Sequence, residues 1–275
     1  MRGHLDGIDH AVIVTRDLDR ACDAYARLGF TLTPRGYHTL GSQNHCIMFE
    51  RDYLELMAVP RPHPAWQYYT DYLATGEGLA GLALATEDAN AARAELVAGG
   101  IAADPPLEFS RPVQGKSDAS FRVVQLPVDQ TPGCRLFLCQ HFTRQVVWSP
   151  EWQSHPNGVT AIAAIAVIAD EPRATAARYA AVFDAQPRPS DEGLLVATGG
   201  APIALGTRPE LEQRLPGVGL PPRAPPLIGA LFLRVADRDR AAESLQRGGF
   251  RPSRLADGSW AVSAEDTCGV ALVFG

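Results

Sequence analysis

The sequence predicts an α+β protein made of four successive β-α-β-β-β modules, and three observations carry that prediction. Between Leu5 and Val59 an apolar strand, an Asp-led helix closed by glycine and three more strands follow one another. The same order, with the glycine in the same place, recurs further along the chain. A polar stretch, Ser149 to Gly158, parts modules one and two from modules three and four. It sets the expected division into an N-terminal domain, residues 1–156, and a C-terminal domain, residues 157–275.

In module one, Ile8 to Val14 is an apolar run bearing His10, the length of a buried strand. Asp17 and Asp19 precede Arg20 to Leu28, where Ala21, Ala24, Tyr25 and Leu28 recur at helical spacing and Gly29 stands at the C′ position. Phe30 to Thr33, His45 to Glu50 and Tyr53 to Val59 read as the remaining strands. Module two follows a Pro- and aromatic-rich connection, Pro60 to Tyr72. It has a strand at Leu79 to Ala85, a helix at Ala89 to Ala98, and later strands at Phe121 to Leu126 and Arg135 to Cys139. Module three has a strand from Thr160 and Asp170 ahead of a helix at Arg173 to Phe183, then strands at Leu194 to Thr198 and Pro202 to Leu205. Module four starts at Leu227 to Leu233, with Asp237 before a helix at Arg240 to Arg247 and closing strands at Trp260 to Val262 and Val270 to Phe274. The Pro-rich segment Arg214 to Pro226 reads as an irregular linker.

Composition narrows the function classes. The 275 residues suffice for two ordinary domains with ample core. A net charge of −6 and the lack of a basic patch argue against nucleic acid as a partner. No apolar run reaches membrane-spanning length, and the N-terminus leads into the first strand without a signal-like apolar segment. The five cysteines are odd in number, scattered and without CxxC spacing, which fits reduced thiols in a cytoplasmic protein. Walker, GxGxxG and GxSxG motifs are absent from the sequence.

Glu55 is the most informative residue, because a carboxylate among Leu54, Leu56 and Met57 is costly to bury without a partner. That partner is either an arginine, such as Arg35 or Arg122, or a metal ion. His10 likewise reads either as a buried histidine bonded to a backbone carbonyl or as a metal ligand. Arg111 and Lys116 lie in a Gly- and Ser-containing stretch whose bland reading is solvated loop and whose functional reading is capture of an anionic substrate.

With these residues in view, the chain resembles the vicinal oxygen chelate superfamily. The resemblance rests on Asp9-His10, Leu28-Gly29-Phe30 and Tyr53-Leu54-Glu55-Leu56. Gln43-Asn44-His45-Cys46 to Phe49, Gln140-His141-Phe142, Trp148-Ser149-Pro150-Glu151-Trp152 and His155-Pro156-Asn157-Gly158 resemble its glyoxalase-like branch more narrowly. It implies that the modules pair into two curled-sheet, open-barrel domains around a divalent ion (Zn, Ni, Mn or Fe). His10 and Glu55 match the ligand positions in module one. Gly81 and Phe137 hold them in module two, Ala163 or Ala164 and Ala204 in module three, Ala230 and Val273 in module four. A site is therefore expected only in the N-terminal domain, with the C-terminal domain structural. All seven histidines lie at or before residue 155, in keeping with that.

Two protein ligands leave a catalytic divalent ion short of the usual three. His141 is the leading third candidate, since it shares strand parity with Phe137; at ~3.3 Å per residue it stands about 13 Å further along. A bulge would bring it to the metal; otherwise it would touch substrate at the cavity mouth. His45 and His155 rank behind it. Asn44, His45, Arg111 and Trp148 are the expected substrate contacts, with Glu55 as the catalytic carboxylate. The function implied is a metal-dependent enzyme, a lyase, isomerase or dioxygenase, acting on a small carbonyl, enediol or vicinal-oxygen compound. Its rival is a metal-free binding protein that sequesters a small molecule. A homodimer is the expected assembly.

Overall fold

The computed structural model describes residues 2–275. Its first half runs β1 (Ile8–Val14), α1 (Leu18–Arg27), β2 (Gly36–Tyr37), β3 (Gln43–Met48), β4 (Tyr53–Ala58), α2 (Gln67–Thr75), β5 (Gly78–Ala85), α3 (Ala89–Ala98), β6 (Leu107–Arg111), β7 (Ala119–Gln125), β8 (Arg135–His141) and a single turn, α4 (Arg144–Val147). The second half runs β9 (Val159–Ile168), α5 (Pro172–Phe183), β10 (Arg188–Ser190), β11 (Gly193–Val196), β12 (Ile203–Gly206), α6 (Arg208–Arg214), β13 (Leu227–Val235), α7 (Arg238–Arg247), β14 (Ser253–Arg254), β15 (Trp260–Val262) and β16 (Ala271–Phe274).

The repeat is plain in the helix ends. Asp17, Asp88 and Asp237 each cap a helix by accepting backbone N–H bonds in its first turn. Module three departs: its helix starts at Pro172 after Glu171, without a side-chain cap, so Asp170 does not play that part. Gly29, Gly100 and Gly249 follow three of the helices in the left-handed region, where a side chain would be strained.

Each half forms one eight-stranded sheet of the same topology, β2-β3-β4-β1-β5-β8-β7-β6 and β10-β11-β12-β9-β13-β16-β15-β14. Within a module the first and last strands run parallel, and two modules join through their first strands, which pair antiparallel. The first sheet curls until its edges almost meet. The Thr39 N–H, just beyond β2, donates to the Ser110 carbonyl on β6 at 2.9 Å. The fold is thus α+β with two curled sheets, as the sequence predicts.

The strand expected at Phe30 to Thr33 is not formed; the edge strand is Gly36–Tyr37. Pro34 lacks an N–H to extend a ladder, and Thr33 makes the local contacts instead, donating its N–H to Cys46 and accepting the Cys46 N–H on its hydroxyl. Two helices lie where connections are expected, α2 within Pro60 to Tyr72 and beyond it, and α6 ahead of the Pro-rich linker. Arg111 ends a strand and is buried, so the solvated-loop reading does not hold for it.

Strand alternation sends Ala11, Ile13, Leu54 and Leu56 into a core that runs between the two sheets and takes in Phe30, Phe49 and Phe274. The Tyr25 hydroxyl crosses between the halves to the Thr267 carbonyl at 3.0 Å. The opposite parity, Val12, Cys46, Met57, Phe121 and Phe137, lines the inside of the first curl. On the matching face of the second sheet, Leu211, Leu215 and Val218 pack over Ala166, Ala230 and Val273. Among the described residues no helix is long and apolar enough to cross a membrane.

A candidate metal centre inside the first sheet

A narrow, mostly apolar cavity fills the first curl. His10, Glu55, Asn44 and Arg111 line it together with Tyr53, Trp66, Tyr69, Phe109, Phe121 and Phe137. Register explains the company these side chains keep. His10 pairs with Tyr53 across β1 and β4, Val12 with Glu55, and Cys46 with Glu55 across β3, so Tyr53 and Glu55 share the face of His10.

Asp9 should point the other way, but it does not. Ile8 pairs with Leu84 and His10 with Ala83, which leaves Asp9 as the extra residue of a bulge in β1. The bulge turns its carboxylate back toward the ring of its neighbour. Asp9 Oδ2 lies 2.6 Å from His10 Nδ1 and 3.0 Å from His141 Nε2, and Arg144 Nη1 stands 3.5 Å from the other oxygen. Burial alone would raise the Asp9 carboxyl. The charge of His141 and the hydrogen bonds from both imidazoles outweigh it and hold the group well below the usual carboxylate range. Asp9 is therefore an acceptor, and His10 presents Nδ1–H to it.

The other ring nitrogen decides what the site can hold. His10 Nε2 faces Glu55 Oε2 at 3.5 Å. The second Glu55 oxygen accepts from Asn44 Nδ2 at 2.6 Å, and the Tyr53 ring stacks on the imidazole with centroids 4.3 Å apart. With Nδ1–H given to Asp9, Nε2 and Oε2 are two lone-pair donors aimed at each other in a buried place. Such a pair calls for a cation or a proton between them. An imidazole, a carboxylate and a carboxylate behind the imidazole fit a first-row divalent ion. Asp9, His10, Cys139 and His141 also bring one potential ligand atom each within 4.8 Å of one another, the one such group found among the described residues. Burial pushes the Cys139 thiol well up, helped by the charges of Asp9 and Glu55, so it stands as a neutral thiol.

The expected site residues fall into three sets. His10, Glu55, Asn44 and Arg111 share the cavity. His141 stands at its edge, on the Asp9 side of the imidazole, 3.5 Å from Cys139 Sγ; with Asp9 and Arg144 it borders a wider cleft toward Ile162, Gly199 and Arg234 of the second half. Trp148 packs edge-on against Tyr53 and His141, with centroids 5.3 and 5.1 Å away. His45 needs correcting as a substrate contact: it follows Asn44 on β3, so it faces the opposite side and bonds the Thr33 carbonyl at 2.8 Å. His155 is used structurally, between the Thr31 N–H and the Met48 carbonyl. Arg35 pairs with Asp19 and Arg122 with Glu108, so neither is the partner of Glu55.

The module-two position that matches His10 is closed to a ligand for a steric reason as well as a sequence one. A Cβ on Gly81 would stand 2.7 Å from the Tyr69 hydroxyl and 3.5 Å from the Phe137 ring. Tyr69 of α2 thus occupies the space of a module-two ligand. Neither Tyr69 nor the role of Asp9 is apparent in the sequence. Asp9 left one sign, two polar residues in succession on an otherwise apolar strand.

Comparison with known proteins agrees with this architecture. A family model described as a glyoxalase-like domain matches residues 8–183. A hypothetical protein from Staphylococcus aureus superposes with a TM-score of 0.67 at 13% identity, over 98% of both chains. The Mn(II)-bound glyoxalase from Novosphingobium aromaticivorans gives 0.59 at 12%, covering 98% of this chain and 82% of its own. A mutant 4-hydroxymandelate synthase from Streptomyces coelicolor gives 0.56 at 17%, covering 91% and 77%. At these identities the likeness establishes the fold. The search of curated proteins gave no match.

Proposed function

The chain belongs to the glyoxalase-like domain family, in the vicinal oxygen chelate superfamily, and from that premise we propose that it is a divalent-metal-dependent enzyme acting on a small oxygenated compound. The observation that carries this reading is the facing pair His10 Nε2 and Glu55 Oε2, unsatisfied without a cation or proton between them. His10 and Glu55 would hold the ion. Once bound, it would polarise a carbonyl or enediol and stabilise the enolate-like charge that develops. Asp9 fixes the tautomer and the plane of His10, and Asn44 fixes the Glu55 carboxylate. Tyr53 and Phe137 close the apolar walls and limit water at the reacting group.

The Asp9, His10, Cys139, His141 group is the weaker metal site, because Asp9 Oδ2 already pairs with both imidazoles and His141 Nε2 also meets Cys139 Sγ. His141 in this reading supports Asp9 and borders the cleft. The N-terminal domain, residues 1–156, carries the chemistry, and the C-terminal domain, residues 157–275, supplies the second face of the shared core.

Lyase, isomerase and dioxygenase activities remain distinguishable by assay. Metal-loaded and chelated protein incubated with 2-oxoaldehyde, enediol and catechol compounds, followed by proton NMR, should give metal-dependent conversion of one class. A second reading, a metal-free binding protein, is favoured by one observation: Tyr69 and Phe137 stand where module two would supply ligands. Binding without conversion, equal in loaded and chelated protein, would establish that reading instead. The expected homodimer is tested by sedimentation of the purified chain.

A further inference from the structure

We propose that the cavity takes an aromatic carboxylate, its carboxylate on Arg111, its ring between the aromatic walls and its remaining oxygens toward His10 and Glu55. Only the last of these contacts rests on the metal-dependent reading; the Arg111 end stands on observations of its own.

Arg111 is the one arginine buried among the described residues, at 6% exposure. Far more exposed arginines have acidic partners, Arg122 with Glu108 and Arg20 with Glu77 among them. Among the described residues Arg111 has none within ion-pair distance, its Nε is buried without a hydrogen-bond partner, and its Nη2 finds only Cys46 Sγ at 3.9 Å. A buried guanidinium with no acidic partner beside it is costly, so its place in the cavity calls for an anion. The guanidinium fork matches a carboxylate in two parallel bonds.

The fold makes specific room for this group. Arg111 comes from β6 on the far edge of the curl, and its chain crosses above Gly36 of β2. A Cβ on Gly36 would stand 2.9 Å from Arg111 Cδ and 2.3 Å from Asn44 Oδ1. Arg111 is then linked to the metal end by short steps: Cys46 Sγ to Asn44 Nδ2 is 3.6 Å, and Asn44 Nδ2 to Glu55 is 2.6 Å. One unpaired cation near one carboxylate suits a singly charged ligand better than a phosphate.

The walls between these two ends select the body of the ligand. Phe109 stands 5.4 Å from Phe121 and 5.7 Å from Trp66, the latter nearly perpendicular. Phe137 and Tyr53 flank His10 at the other end. Flat, rigid faces at these spacings favour a planar ring over a flexible chain.

Calorimetric titration of chelated protein with benzoate and with benzamide tests this without involving the metal. Benzoate should bind at least tenfold more tightly than benzamide. Arg111→Gln should lose that margin and leave benzamide unchanged, while Arg111→Lys keeps part of it. Ligand-free Arg111→Gln should also melt no lower than the parent, since it removes an unpaired buried charge. Equal binding of the two compounds, unchanged benzoate binding in the variant, or a markedly lower melting temperature in its ligand-free form would overturn the proposal. If Arg111→Gln fails to fold, Arg111 serves the fold, and that too overturns it. A failure of the metal reading leaves every one of these outcomes readable.

Discussion

His10 is held between two carboxylates with different duties, and that asymmetry governs what single substitutions should do. Asp9 orients the ring through Nδ1, and Glu55 faces Nε2. Asp9→Asn should therefore leave the fold in place yet lower metal affinity about 10–100-fold, read by competition with a metal-binding dye. His141→Ala should keep stoichiometric metal, because its ring meets Asp9 and not the face of His10 that looks at Glu55; loss of the ion would put His141 in the coordination sphere. His10 and Glu55 were legible in the sequence, since a lone carboxylate in an apolar strand announces a partner. Asp9 was not, because alternation assigns it to the far face and a one-residue bulge reverses it. Alternation also counted against His45, whose neighbour Asn44 takes the inward place. The burial of Arg111 was not legible, as it depends on two edges of one sheet meeting.

At the scale of elements, the module order and three of the four long first-module-type helices follow from local signals, an acidic cap and a glycine stop. The exceptions have local causes. Pro34 displaces the second strand, and α2 hides in a run of Tyr68, Tyr69 and Tyr72 whose aromatic content suggests a connection more than a helix. Yet α2 decides the character of the site, since its Tyr69 fills the space over Gly81. Gly81→Ala should destabilise the protein by about 1–3 kcal/mol by overpacking against a rigid buried ring. Tyr69→Phe removes the hydroxyl that the new methyl would meet and should recover most of that loss. Denaturant melts of the two single variants and the double variant check the coupling; simple additivity would show that the two residues do not compete for one space.

For the whole molecule, the halves are joined by one core and by a buried polar link. Asp52, in the turn between β3 and β4, accepts the Ile162 N–H of β9 at 3.0 Å. Burial pushes its carboxyl up to about 6, against an ordinary 3.8, even though the Ile162 bond favours ionisation. A carboxyl raised in the folded state binds protons more tightly there than in the unfolded chain. Its contribution to stability is thus fullest below pH 4, falls as pH rises to about 6, and is gone above that, a change of up to roughly 3 kcal/mol. Asp52→Asn keeps an acceptor for Ile162 without the charge, so it should stabilise the protein at pH 8 more than at pH 5; equal effects at both would contradict this. The second sheet repeats the topology of the first, but Leu211, Leu215 and Val218 cover the face that would hold a site. On the proposed reading the chemistry is confined to one side of a symmetric frame. Elemental analysis after loading with Mn, Zn, Ni or Fe and exhaustive washing tests that claim most directly. One ion per chain is expected in the parent and none in His10→Ala or Glu55→Ala. A parent that retains no ion, or a His10→Ala variant that keeps one, would contradict it.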